Sequence, residues 1–196
     1  PGSVPHSTSN SAMSWVLMRL GIQGYNAMLS TGHCSGLDAV SHAALVVAGN
    51  HVNSIMAGGL CAHSESLWQC HQQTPQNKRP LAEGIGLILL TNDPTNAICE
   101  WKGSRSAFVP FKPHKALNNA IELLLASCRS RRDIQIIVGP RSQEPALPKT
   151  QVINLEKATG DTLGASGAVR LAFASELIQK GYDNALVCAW SPEGFA

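Results

Sequence analysis

The segment that decides the fold is LSTGHCSGLDAVSHAALVVAGNHVNSIMAGGL, residues 29–60. A short apolar run ends in a turn of small residues that carries His33 and Cys34. Apolar residues at helical spacing follow over 35–49, and VNSIMAGG is a second short apolar run that closes on two glycines. This order predicts a strand, a turn that would suit a nucleophile, a helix and a second strand.

The rest of the chain repeats this alternation, which predicts an α/β fold with a mixed or mainly parallel sheet. The apolar spacing of 11–21 predicts a helix that stops at Gly21, and residues 61–80 lack periodicity and are expected to form a surface loop. GIGLILLT is a continuous apolar run of the kind buried on both faces of a sheet. The predicted strands are 25–31, 52–59, 84–91, 98–108, 133–139 and 184–190, and the later helices are 114–130 and 164–181.

Composition limits the classes of function. The 196 residues are 44% hydrophobic and 14% charged, which suits one domain over 1–196 with a large buried interface to another subunit. A formal net charge of +2 argues against nucleic acid as the partner, and without an 18-residue apolar run we expect no membrane insertion. The six cysteines form no CxxC pair and no zinc spacing, so we expect no metal site and a reduced cytoplasmic location.

The two halves of the chain are alike in element order. GHCSGLDAVSHAAL leads to NSIMAGG, and GDTLGASGAVRLAF leads to NALVCAW. Each half has a glycine-rich turn, an alanine-rich helix and a strand, which indicates an internal duplication divided near 1–92 and 93–196.

Three motifs together resemble the β-ketoacyl synthases, the condensing enzymes of the thiolase fold. STGHCSGLDAVSHAALVVAGNHVNSIMAGG resembles their nucleophile segment, EGIGLILL their G-x-G-A-G strand, and ATGDTLGASGAV their later T-G-H-x-x-G-A motif. Their order along the chain is also that of the family. The resemblance implies a layered α-β-α thiolase-like fold with a mixed sheet and a pseudo-duplication. The family's first strands and helices have no counterpart here, so the expected fold is a partial one, truncated on its N-terminal side.

The family's reaction uses a cysteine thiolate and two histidines, and the resemblance places other residues at those positions. His33 falls at the nucleophile position, and Cys34 lies one residue later, about 100° away on helical geometry. Asp161 replaces the second histidine, and Glu156 replaces a lysine. The first histidine's loop corresponds to IIVGPRSQEPALP, which has no histidine, and the closing G-F-G-G-T-N loop reads WSPEGFA. Four altered elements imply that no catalytic residue remains.

Among relatives of this family, GLDAVSHA looks most like the inactive chain length factors of type II polyketide and aryl polyene systems. That resemblance implies a heterodimer with an active ketosynthase, contact with acyl carrier protein through the complex, a role in polyketide or fatty acid biosynthesis, and no cofactor. In the family the strand before the nucleophile turn pairs with its counterpart across the dimer axis. The residues expected at the interface or chain tunnel are Tyr25, Met28, Leu29, Thr31, His33 and Cys34.

Two other functions stay open at this stage. One is a condensing or malonyl-decarboxylating enzyme that uses Cys34, which requires the alignment to be off by one residue. The other is an acyl-binding or scaffold module without a synthase partner. His33 either lines a vestigial pocket or fills space at the dimer contact, and Asp161 is expected to cap the helix that follows it. Asp38 is either capped within the chain or bound to a partner, and His42 and His63 are expected to be solvated or packed.

Overall fold

The computed structural model describes residues 11–73, 80–127, 134–139, 150–191 and 196. The chain forms two compact units, 1–30 and 31–196. In the first unit, helix α1 spans Ser11–Leu20 and ends at Gly21, whose φ of 64° and position match the predicted stop. Residues 25–30 have no regular secondary structure, so the predicted strand over 25–31 is wrong. A strand needs a neighbouring backbone to pair with, and the described residues of this unit supply none.

The second unit alternates helices and strands. Its elements are α2 Ser35–Ala48, β1 Ser54–Cys61, α3 Glu65–Gln73, β2 Gly84–Thr91, α4 Pro113–Ser127, β3 Ile136–Val138, β4 Gln151–Ile153, α5 Glu156–Thr159, α6 Ser166–Gln179 and β5 Ala185–Val187. A 3₁₀ turn precedes each of the two helices that lie against the β1–β2 pair, Gly32–Cys34 before α2 and Leu163–Ala165 before α6. Since each of these helices has 14 residues and leads towards a strand, the pseudo-duplication expected from the sequence is visible in the fold.

The described strands form two sheets. β1 and β2 pair antiparallel along their whole length, and β3 pairs parallel with β4 on one side and β5 on the other. The predicted α/β class with mixed strand directions is therefore confirmed. The described residues do not join the two sheets, so the central sheet expected from the sequence appears as two.

Helices α2 and α6 lie against the β1–β2 pair, and α6 also contacts the parallel sheet. Side chains of β3 alternate between two faces, as strand geometry requires. Ile136 and Val138 pack against α6, whereas Ile137 packs against Leu117 and Ile121 of α4. The order of layers is therefore β1–β2, then α2 and α6, then the parallel sheet, then α4.

Glycines allow this close packing. A Cβ added at Gly86 would lie 2.5 Å from the backbone nitrogen of Val169 in α6. A Cβ at Gly59 would lie 2.8 Å from the Cα of Ala165, and one at Gly167 would lie 2.7 Å from the Cβ of Leu37. Only residues without a side chain let strand and helix backbones approach this closely.

The outer face of the β1–β2 pair is apolar and exposed. Its large side chains alternate with the inward ones that pack on the helices, and they are Met56, Leu60, Ile85, Leu87 and Leu89. The expectation that 84–91 is buried on both faces is therefore wrong. The continuous apolar run was read correctly as a strand, but one of its faces has no covering layer among the described residues.

Three further elements differ from the sequence predictions. The expected loop over 61–80 contains α3, because the Ser64 hydroxyl accepts the Leu67 N–H at 3.2 Å and caps that helix. No strand forms over 98–108 beyond an isolated bridge at Phe108. The neighbouring Ala107 bonds to Ala196 through both its N–H and its C=O. Strand β4 was missed because Val152 and Ile153 stand between polar neighbours, whereas the equally short β3 and β5 lie in longer apolar runs.

Candidate functional site

The turn before α2 is built by its own hydrogen bonds. The Thr31 N–H donates to the Ser35 hydroxyl at 2.8 Å, and that hydroxyl donates to the Gly32 carbonyl at 2.7 Å. Gly32 has a φ of 63°, a backbone conformation that favours glycine. The Thr31 hydroxyl donates to Asp38 Oδ2 at 2.5 Å. The Asp38 carboxylate is therefore bound within this chain, and the turn has a defined shape.

The loop before α6 is organised in the same way around Asp161. Its Oδ1 accepts the Leu163 N–H at 2.9 Å and lies 3.5 Å from the Ser166 hydroxyl. Its backbone N–H donates to the Pro80 carbonyl at 2.8 Å, and its carbonyl accepts the Ala82 N–H at 2.9 Å. Asp161 thus caps the 3₁₀ turn that leads into α6, close to the capping role expected from the sequence.

The two turns meet at the adjoining N-terminal ends of α2 and α6. His33 Nε2 lies 3.6 Å from Asp161 Oδ2, and the two side chains are 31% and 14% exposed. Cys34 lies beside His33 in the chain but is only 4% exposed. The residue that reaches the meeting point is therefore the imidazole, and the neighbouring thiol is inside the core.

A second thiol lies near this meeting point. Burial raises the pKa of Cys61, and the negative charges of Asp161 and then Glu83 raise it further. Glu83 accepts the His63 backbone N–H at 2.8 Å, and the buried Nε2 of the His63 side chain has no hydrogen-bond partner among the described residues. Burial and then the two carboxylates disfavour the thiolate form of Cys61, and the carboxylates would oppose the negative charge of an enolate. This electrostatic environment is the reverse of one that supports a thiolate nucleophile.

Glu156 forms a buried ion pair. The sequence motifs align it with a lysine of the β-ketoacyl synthases, and that alignment stays a prediction. Glu156 Oε1 bonds to Arg170 Nη2, and the two side chains are 4% and 7% exposed. Arg170 Nη1 also donates to the Cys188 carbonyl at 2.8 Å, beyond the end of β5. The pair therefore ties α5 to α6 and to the parallel sheet. Sequence reasoning missed Arg170, although an arginine in the alanine-rich face of α6 was a signal for a buried partner.

No family model and no curated protein matches the sequence. Solved structures do match. The ishigamide ketosynthase/chain length factor aligns with a TM-score of 0.77 at 21% identity, over 99% of this chain and 61% of that one. A type II polyketide synthase acyl-carrier protein in complex with its ketosynthase gives 0.74 at 17% identity, over 92% and 57%.

A ketosynthase in complex with its chain length factor from Xenorhabdus doucetiae gives a TM-score of 0.68 at 19% identity, over 86% of this chain and 50% of that one. The chain has a partial thiolase-like fold. It is similar to ketosynthase and chain length factor structures, as the sequence motifs predicted, and it spans about half to three fifths of their length.

This thiolase-like fold brings together some of the expected site residues. Thr31, His33 and Cys34 share one turn, and Asp161 of the motif ATGDTLGASGAV faces that turn. Tyr25 and Met28 are 50% and 45% exposed in the first unit. Leu29, in the same unit, is partly buried. The loops expected to replace the first histidine and the closing glycine motif, including Pro140, Arg141, Pro192 and Gly194, lie outside the described residues.

Among the described residues, no three His, Cys, Asp or Glu side chains are placed to hold a metal ion. No helix in the described part of the chain is long and apolar enough to cross a membrane. The meeting point of His33 and Asp161 is therefore the candidate site.

Proposed function

We propose that the chain is a non-catalytic, chain-length-factor-like partner of an active β-ketoacyl-ACP synthase. In this role it completes a heterodimer and shapes the tunnel that limits the length of the acyl or polyene chain. Acyl carrier protein reaches it through the complex. One observation carries the proposal, namely the pairing of His33 with Asp161 where the family holds a nucleophilic cysteine and a histidine.

Chemistry supports this assignment. A condensing enzyme needs a thiolate to take the acyl group and hydrogen-bond donors for the oxyanion that forms after decarboxylation. The candidate site offers an imidazole, a carboxylate and a thiol whose pKa is raised. The deeply buried Cys34 would have to leave the core before it could react with a bulky acyl thioester.

Exposed apolar surface also supports a partner. The outer face of the β1–β2 pair carries five exposed large side chains, and stable proteins rarely leave so many side by side in water. The solved structures that align with this chain are longer than it, so their fold contains polypeptide that this sequence does not supply. Polypeptide beyond the described residues is therefore expected to cover this apolar face.

Co-expression with the candidate ketosynthase tests the proposal. We expect a stable complex of one copy of each chain by size-exclusion chromatography with light scattering. A thiol-directed ketosynthase inhibitor should add mass to the ketosynthase and leave this chain unmodified in an intact-mass measurement. Cys34→Ala should leave the condensing activity of the complex unchanged. An active monomer or homodimer, or labelling of Cys34, would refute the proposal and favour the enzyme alternative.

The tunnel role has its own test. Met28 and Leu29 are the apolar side chains expected at the tunnel or interface, so Met28→Trp and Leu29→Trp should shorten the products of the complex. Leu45→Trp, at an exposed position on α2, is the matched control and should leave product length unchanged. Unaltered product length in both tunnel variants, with the complex intact, would remove the tunnel role while leaving the partnership.

A further inference from the structure

The two 3₁₀ turns that meet at the candidate site have the same backbone conformation. Cys34 and Ala165, the last residues of the two turns, have φ and ψ angles of −84° and −12°, and of −80° and −18°. The serines that begin α2 and α6 have angles of −49° and −46°, and of −51° and −43°. The first residue of each turn is left-handed, with a φ of 63° at Gly32 and of 46° at Leu163. The same backbone position therefore holds glycine in one turn and leucine in the other.

Leucine is disfavoured at this position. In the left-handed region a Cβ comes too close to the following carbonyl oxygen, and glycine avoids this contact. Core packing does not account for the leucine, because Leu163 is only partly buried and belongs to none of the three apolar clusters found among the described residues. Residues held in strained backbone conformations are concentrated at active sites and ligand-binding sites. The strain at Leu163 therefore points to a role of its side chain at the candidate site.

Leu163 is tied to the candidate site through its backbone. Its N–H donates to Asp161 Oδ1 at 2.9 Å, and Asp161 Oδ2 lies 3.6 Å from His33 Nε2. The next residue, Gly164, lies against the first turn, because a Cβ added there would be 3.3 Å from the Gly32 carbonyl oxygen. The leucine is therefore located where the two turns meet, beside an imidazole and a carboxylate.

The chemistry of the side chain limits what it can contact. Leucine has no hydrogen-bonding atom, so it stabilises a ligand only by dispersion and by removing apolar surface from water. The ligand group beside it must therefore be a hydrocarbon. The backbone on which Leu163 is placed is fixed by the Asp161 cap and by the helix that follows, which lowers the entropic cost of binding.

We propose that Leu163 is a specificity-determining residue, whose side chain contacts the hydrocarbon part of an acyl chain beside His33 and Asp161. The contact selects among chains by length, because a chain that fills the space beside the leucine buries more apolar surface than one that does not. The inference rests on the proposed function, because that function brings an acyl chain to this site. One methylene more or less in an apolar contact changes discrimination by about 10–200-fold.

The test replaces Leu163 in the complex with the ketosynthase and measures the length distribution of the products by liquid chromatography with mass spectrometry. Leu163→Asn removes the apolar side chain but suits the left-handed backbone. The ratio of the main product to products of neighbouring length should change by about tenfold or more. Leu163→Met keeps an apolar side chain of similar volume and should preserve the ratio of the unaltered complex.

Two controls separate contact with the acyl chain from general effects. Asn50→Gly changes another left-handed residue, with a φ of 56°, at an exposed position beyond the C-terminal end of α2, and should leave the ratio unchanged. Thermal unfolding of this chain alone should show that Leu163→Asn is at least as stable as the unaltered chain, because the strain is relieved. A clear loss of stability would make Leu163 a core residue and overturn the inference. Weaker binding of the ketosynthase with an unchanged product ratio would also overturn it, because the leucine would then contact the partner.

The outcomes also separate this inference from the proposed function. A complex that forms and condenses, with the same product ratio in Leu163→Asn, overturns the role of Leu163 alone. If no complex with the ketosynthase forms, the proposed function fails, and isothermal titration of the isolated chain with decanoyl N-acetylcysteamine thioester decides the role of Leu163. Binding there that Leu163→Asn weakens by about tenfold or more and Leu163→Met retains supports the contact. Absent binding, or binding independent of Leu163, overturns it.

Discussion

The buried pair of Glu156 and Arg170 gives the most quantitative prediction. Replacement of Glu156 by Gln keeps the shape of the side chain and leaves the Arg170 guanidinium charged in the core. The two side chains are 4% and 7% exposed, so water cannot replace the lost partner. Removing one member of a buried ion pair lowers the free energy of unfolding by about 3–5 kcal/mol. Because the glutamine amide oxygen can still accept a hydrogen bond, we expect a loss of about 3 kcal/mol for Glu156→Gln.

Urea denaturation followed by circular dichroism measures this cost. With a urea m-value of about 2 kcal/mol/M, the midpoint should fall by about 1.5 M. The total free energy of unfolding of a domain is about 5–15 kcal/mol, so the variant should still fold. Glu176→Gln is the matched control, because Glu176 and Lys180 form an exposed pair at 3.2 Å. That pair is worth about 0.5 kcal/mol or less.

Charge reversal sharpens the same test. Glu156→Lys places an ammonium beside Arg170 and should destabilise the chain more than Glu156→Gln does. Adding Arg170→Glu restores opposite charges across α5 and α6 and should recover most of the lost stability, short of the hydrogen bond to the Cys188 carbonyl. A midpoint shift below about 0.5 M for Glu156→Gln, equal to about 1 kcal/mol, would refute the buried pair.

Three other predictions follow from close contacts and from thiol pKa values. Gly86→Ala puts a Cβ 2.5 Å from the backbone of α6 and should lower the free energy of unfolding by about 1–3 kcal/mol or more, measured by urea denaturation. Leu87→Ala, at the exposed neighbouring position, should lower it much less. Equal losses in the two variants would contradict the close packing of β2 on α6. Asp161→Asn removes a negative charge that raises the pKa of Cys61. Alkylation of Cys61 by iodoacetamide near pH 8, measured by peptide mass spectrometry, should therefore become faster. An unchanged rate would show that the Asp161 charge does not act on the Cys61 thiol. Burial raises the pKa of the Cys188 thiol to about 12 from an ordinary 9.0. Because the folded state holds this proton more tightly, the free energy of unfolding should keep the full contribution of the thiol below about pH 9 and lose it as the pH rises towards 12. Cys188→Ala should make this loss smaller.

Sequence patterns predicted the elements with strong local signals. The 3.6-residue spacing of α2 and α6 and the apolar run of β2 were identified to within two residues, because each carries a complete periodic pattern. Motifs in the same segments identified the thiolase-like fold, which the solved structures then confirmed. Short elements were harder. β4 has only two apolar residues, Val152 and Ile153, between polar neighbours. The cap that starts α3 was overlooked because the composition of that helix is polar.

For the candidate site, too, the sequence predicted some features and only the tertiary structure showed the others. Motif spacing in the sequence by itself assigned His33 and Asp161 to positions that hold catalytic residues in the family it resembles, and this assignment stays a prediction. Only the tertiary structure decided that these two side chains meet at 3.6 Å, that Cys34 is buried, and that Glu156 pairs with Arg170. Residues more than a hundred positions apart are brought together by the packing of α2 on α6 through glycines, and that packing depends on the whole core rather than on any local pattern.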